Sequence, residues 1–174
     1  MKVEFVNPFV DAARSVLEAE VSATVTRGPL SLRSSAYTTL PITVLIAVTG
    51  KVQGIVLYGM AEKTAMGMVE AMMGQPFPEF DELAQSGIAE LGNVITGAAS
   101  VVLAEAGYPS KISPPTLIVG NGVMVSTLDI RRLVVPLGTQ YGVVEVQVAL
   151  REAPANGKGQ AEARAGGPQP QPPT

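Results

Sequence analysis

The chain has 174 residues, 47% of them hydrophobic and 16% charged, a balance that suits one compact domain with a sizeable buried core. It contains neither cysteine nor histidine, which excludes disulfides, thiolate nucleophiles, Ser-His-Asp triads and ordinary zinc sites together. The formal net charge is -3 and no run of Lys or Arg occurs, so a nucleic-acid partner is not expected and a protein or small molecule is.

The first residues, MKVEFVNPFVDAARS, lack the long apolar core of a signal peptide, and no apolar run approaches the ~18 residues that span a bilayer. A cytoplasmic protein with no membrane partner is therefore expected. Asn7 before Pro8 has the form of a helix start, cap and then proline, and Phe9, Val10, Ala13, Val16 and Leu17 continue an apolar stripe to about Ala19. Residues 21–27, 30–35, 42–49 and 53–59 then read as strands, punctuated by Gly28-Pro29, Pro41 and Gly50-Lys51. Residues 61–73 form a second helix closed by Gly74 and Pro76. The methionines at 60, 66, 68, 72 and 73 are read as core filling in preference to a contact surface.

A third helix is predicted between Asp81, a side-chain cap, and Ala106, with Gly107 and Tyr108-Pro109 as its stop. At about 1.5 Å per residue it would be ~39 Å long. Ile88, Leu91, Ile95 and Val102 give it a face to dock on a core. At roughly 100° per residue, Glu90, Asn93 and Gly97 return to within about 40° of Ser86, so three polar groups and a small residue share the opposite stripe. Interior glycines at 92 and 97 cost about 1 kcal/mol each against Ala and call for close approach or packing.

Beyond this helix, residues 116–120 and 123–127 flank Asn121-Gly122, a strong hairpin signal, and residues 133–138 and 143–150 form a further hairpin turning at 139–142. The segment ITVLIAVTGKVQGIVLYG resembles RRLVVPLGTQYGVVEVQVAL in hairpin length and turn placement, a faint internal repeat. The order of elements predicts an α+β fold, a mixed α/β sandwich whose mostly antiparallel sheet packs with the long helix and two shorter ones. The folded unit closes near Leu150, giving a domain over residues 1–152. Residues 153–174, rich in Pro, Gly, Ala and Gln, are expected to be a disordered tail.

Ser86, Glu90 and Asn93 match the pattern [DS]-x-x-x-E-x-x-N carried on a helix by the CheC/CheX/FliY family of chemotaxis phosphatases. Similarity to the single-site CheX branch extends to FVNPFV, the strand at residues 42–47, KTAMGMVEAMMG and ISPPTLIVGNG, approximately residues 3 to 150 in all. The resemblance implies hydrolysis of the aspartyl phosphate of a CheY-type response regulator. Asn93 would orient the attacking water, and Glu90 would pair with a lysine of the regulator. Ser86 would fill the first motif position and Gly97 the end of the binding stripe. No cofactor is implied in this chain and no metal site, Mg²⁺ being expected in the partner regulator, and a homodimer is expected.

An already activated acyl phosphate asks little of its phosphatase beyond holding water in line with phosphorus. A carboxamide does this without a pKa near neutrality, because one end donates and the other accepts. Two-site relatives carry a second motif on the first helix, where this chain has Asp11, Ser15 and Glu18; the glutamate and asparagine positions both fail, so one site is expected. The alternative reading is a non-catalytic adaptor that binds a receiver domain or flagellar switch protein.

Overall fold

A computed structural model describes residues 2–127 and 129–154. After a 3-10 turn (Val3–Phe5), the chain forms α1 (Asn7–Glu20), then β1 (Thr26–Arg27), β2 (Ser31–Arg33), β3 (Ala36–Thr38), β4 (Ile42–Gly50) and β5 (Val52–Met60). Helices α2 (Glu62–Met73) and α3 (Glu82–Glu105) follow. The chain closes with β6 (Ser110–Ile112), β7 (Thr116–Val119), β8 (Met124–Ser126), β9 (Arg132–Thr139) and β10 (Gly142–Glu152). The fold is α+β: an antiparallel sheet in the order β1-β9-β10-β5-β4-β6, with β2 also on β9 and β7 also on β4, and a separate ribbon of β3 and β8. The expected tail lies outside the described residues from 155 onward.

Alternation along the central strands explains the layering. On β10, Val144, Val146, Val148 and Leu150 join one buried core with Phe9, Val10 and Leu17 of α1 and Ile88, Leu91 and Ile95 of α3. The intervening Glu145, Gln147 and Ala149 must then point to the other face of the sheet. That second face is partly roofed by the β3–β8 ribbon. Arg132, buried and stacked 4.5 Å from the Tyr37 ring, donates to Gln147 Oε1 and to the carbonyls of Ser34 and Ala36. The two long hairpins, β4–β5 and β9–β10, abut through β5 and β10, which places the two halves of the faint repeat side by side at the centre of the sheet.

Several local expectations are corrected. Only Thr26–Arg27 of the predicted strand at 21–27 is extended in a ladder. Upstream, Ser22 takes a positive φ of 50°, and the Gln140 side chain serves the backbone in place of a neighbouring strand, accepting from Thr24 N at 2.8 Å and donating to Ser22 O at 2.9 Å. Asn7 is not the cap: Val6 occupies that position, and the Asn7 side chain instead accepts from Arg27. Asn121-Gly122 does not close a hairpin, because β7 pairs with β4 and β8 with β3, so the turn carries the chain from the main sheet to the ribbon. Strands β3 and β6 were not anticipated; each is three residues long, too short to show a period. Val102 is exposed, and the apolar stripe of α3 continues through Ala99 to Leu103 instead.

By length and composition α3 is also apolar enough to cross a membrane, with 24 residues and a mean hydropathy of 1.5 over its most apolar stretch. Here its apolar side is packed on α1, α2, β4 and β6.

Candidate functional site

Helix α3 is fixed at both ends and along one side. The Asp81 carboxylate accepts from Ala84 N at 2.9 Å, capping the first turn. At the other end Gly107 adopts a positive φ of 92° and Tyr108 N bonds back to Leu103 O at 2.8 Å, the six-to-one closure that glycine permits. Between them Ala84, Ile88, Leu91, Ile95, Ala99 and Leu103 are buried. Capped at both ends and packed along one side, the helix leaves its remaining face uncovered.

That face carries the predicted stripe. Ser86 and Glu90 are exposed, and Asn93 and Gly97 are half-buried beside them. The structure brings Glu90 and Asn93 together: the Asn93 carboxamide donates to Glu90 Oε2 across 3.5 Å. This is a long hydrogen bond, at the limit of what the geometry allows and easily exchanged for a better partner. Ser86 lies one turn before Glu90, with no hydrogen bond to either motif residue among the described residues.

Sequence reasoning missed the row beside the stripe. Leu83, Val94 and Val101 are 53%, 40% and 57% exposed, and their spacings of eleven and seven residues place them at nearly one angle on the helix, about 60° from the motif. The spacing sets these residues on one line, but that the line stays uncovered is decided by packing. With Met72 and Met73 at the end of α2, Leu83 and Val94 line a shallow hollow of about 420 Å³ that includes Ser86 and Glu90. The methionines therefore divide: Met60 and Met68 fill the core, as expected, whereas Met73 is exposed at the site. An apolar row with charges set in it suits docking of a protein surface better than capture of a small polar ligand.

The glycines divide as well. At Gly92 a Cβ would lie 2.8 Å from Val44 Cγ1, so this glycine allows the close approach of α3 to the sheet. At Gly97 a Cβ would meet nothing within 4 Å, so packing within the chain does not call for it. On α1, Glu18 is paired with Arg14 at 2.9 Å, while Asp11 and Ser15 border a groove shared with Ala98 and Val102 of α3 and with Ala106 just beyond it. No group of three or more acidic side chains among the described residues is arranged to hold a metal ion.

A family model described as chemotaxis phosphatase CheX matches residues 42–138, which contain the whole of α3. The CheY-P phosphatase CheX of Thermotoga maritima is 34% identical over 87 residues, 49% of this chain and 56% of that protein, so the match spans about half the length of that relative. Among solved structures, a CheX from Desulfovibrio desulfuricans is similar with a TM-score of 0.76 at 22% identity, covering 86% of this chain and 99% of its own. A Borrelia burgdorferi CheX, solved as a complex with CheY, BeF₃ and Mg²⁺, is similar with a TM-score of 0.76 at 26% identity, covering 87% of this chain and 100% of its own.

Proposed function

This chain belongs to the CheX family of chemotaxis phosphatases, and from that premise we propose that it hydrolyses the aspartyl phosphate of a phosphorylated CheY-type response regulator. The observation that carries the reading is the Glu90–Asn93 pair, in contact on an exposed ridge and flanked by the apolar row of Leu83, Val94 and Val101. The relative solved together with CheY supports this class of partner.

In the proposed reaction the apolar row and the hollow beside it seat the regulator, and Glu90 pairs with a cationic side chain of the partner. That pairing competes for the carboxylate that Asn93 contacts and releases the carboxamide. Asn93 then holds a water in line with phosphorus. The water oxygen forms the new P–O bond as the bond from phosphorus to the regulator's aspartate oxygen breaks. Aspartate leaves with the electron pair, and the proton lost by water passes to the departing inorganic phosphate. Ser86 borders the hollow and Gly97 leaves open backbone at the far end of the stripe, both as contact positions. Mg²⁺, contributed by the regulator, offsets negative charge on the phosphoryl group. No histidine or thiol is needed because the substrate is already an activated mixed anhydride.

We extend the proposal to a homodimer acting in the cytoplasm. Val119, Val123 and Met124 are exposed where β7 turns toward β8, an apolar edge that a second copy would cover. Incubating the cognate phosphorylated regulator with trace and then stoichiometric protein tests the function. Turnover by trace amounts is expected; stoichiometric binding with an unchanged decay rate would identify an adaptor instead.

A further inference from the structure

On the buried flank of α3, beneath the ridge, a short chain of hydroxyls ties the motif turn to the sheet. Tyr58 of β5 is buried, and its hydroxyl lies 2.8 Å from Thr96 Oγ1. Thr96 is buried in turn, and its hydroxyl lies 2.8 Å from the carbonyl oxygen of Gly92. Donor accounting orders the protons. A carbonyl only accepts, so the single hydroxyl proton of Thr96 goes to Gly92, and Tyr58 must donate to Thr96. Burial pushes the Tyr58 phenol well above its ordinary range, which keeps that proton in place. Gly92 completes the fit, since only a missing side chain lets the helix settle against Val44 and, with a Cβ distance of 3.4 Å, against the Tyr58 ring.

These contacts lie before and after Asn93 in sequence and on one side of it around the helix. Gly92 immediately precedes it and Thr96 follows by three residues, about 100° and 60° away around the helix axis. Apolar packing along Ile88, Leu91 and Ile95 holds α3 to the sheet but is non-directional, tolerating small rotations of the rod. Directed hydroxyl bonds are less tolerant, and a threonine bonded to the carbonyl four residues back also sets the local bend of its helix. A fully apolar pair would fill the same space, so burial alone does not require hydroxyls here.

We propose that Tyr58 and Thr96 are positioning residues, whose hydrogen-bonded chain sets the rotation of the α3 turn that presents the Asn93 carboxamide. The inference rests on the phosphatase reading for its kinetic consequence but not for its structural one. Docking is spread over Leu83, Val94, Val101 and Glu90, several turns that tolerate a small rotation. Water alignment depends on Asn93 alone, and displacement of a reacting group by about 1 Å can cost ~10²-fold in rate. Loss of the chain therefore acts on kcat rather than on KM.

The experiment uses the full chain and four variants, Tyr58→Phe, Thr96→Val, Thr96→Ser and the Tyr58→Phe/Thr96→Val double, the last leaving no orphaned hydroxyl and so guarding against simple misfolding. The side-chain amide resonances of Asn93 are followed by NMR, and kcat and KM are measured with a phosphorylated CheY-type regulator. Tyr58→Phe, Thr96→Val and the double variant are expected to move the Asn93 amide signals and to lower kcat roughly tenfold with KM within about twofold. Thr96→Ser, which keeps the hydroxyl, is expected to match wild type in both readouts. Unmoved Asn93 signals in the folded double variant would overturn the inference, as would a Thr96→Ser variant impaired as much as Thr96→Val. If wild type fails to accelerate phosphate loss, the phosphatase reading falls, while the Asn93 signals still decide the positioning role.

Discussion

The Asn93 carboxamide donates to the Glu90 carboxylate across 3.5 Å on the exposed side of a helix whose other side is buried, and its carboxamide oxygen has no hydrogen-bond partner among the described residues. The pair is thus close enough to act on one substrate and too weakly bonded to resist it. Asn93→Ala is expected to lower kcat by ~10² or more, about 2.7 kcal/mol of transition-state stabilisation, because the water loses its guide. The melting temperature should stay near that of wild type, since no core contact is removed. Steady-state dephosphorylation and a thermal melt on the same preparation check both halves, and an active Asn93→Ala enzyme would refute its assigned role.

Glu90 does two things in the proposed reaction, pairing with the partner's cation and holding the amide while no partner is present. Glu90→Ala should therefore raise KM and lower kcat together, and Glu90→Lys should be worse because it sets like charges against each other. Raising the ionic strength should weaken wild-type docking more than docking of Glu90→Ala. A salt dependence identical in the two proteins would remove the ion pair from the account.

The row of Leu83, Val94 and Val101 predicts a separate phenotype. Val94→Asp places a charge in a surface that docking would dry, and about a tenfold rise in KM is expected, ~1.4 kcal/mol, with kcat at saturation retained. Calorimetric binding to the regulator gives the same quantity without turnover. Val102→Asp is the control: it is exposed on the same helix but faces the α1 groove, and it should leave KM unchanged.

The two glycines of α3 should respond to alanine in opposite ways. Gly92→Ala gains about 1 kcal/mol of helix propensity but drives a methyl to 2.8 Å from Val44, and overpacking of that kind costs roughly 1–3 kcal/mol. A lower melting temperature is the expected net result. Gly97→Ala meets nothing and should raise the melting temperature by up to the propensity gain. If Gly97 serves as an open contact position, the same methyl should raise KM, so stability and affinity would part.

Tyr58 supplies a pH dependence. Its folded pKa is raised above the unfolded value of about 10, so the folded chain keeps a proton that the unfolded chain releases. Its contribution to stability is complete below pH ~10 and declines as pH rises beyond that. Melts from neutral to strongly alkaline pH should fall more steeply for wild type than for Tyr58→Phe; parallel curves would contradict the assignment.

Much of this was legible without coordinates wherever one strong local signal dominated. The cap at Asp81, the stop at Gly107, the end of α2 at Gly74 and the turn between β9 and β10 all stand where residue chemistry placed them. The polar stripe of Ser86, Glu90, Asn93 and Gly97 also follows from helical periodicity alone, since an amphipathic rod buries one side and exposes the other. Failures came where a segment's partner is distant in sequence. Asn121-Gly122 carries a true turn signal, but a turn does not choose which strand lies beside each arm, and β4 and β3 outcompeted the adjacent arm. Val21, Thr24 and Val25 are strand-forming residues, yet the Gln140 side chain takes the hydrogen bonds of Ser22 O and Thr24 N, and Ala23 N turns back to Leu17 O. The α3 sequence by itself thus determines that a carboxylate and a carboxamide share a face. Only the tertiary structure decides which apolar residues remain uncovered beside them and which buried hydroxyls steady their turn, because both depend on the approach of α2 and β5, and long-range packing leaves no periodic trace in any one segment.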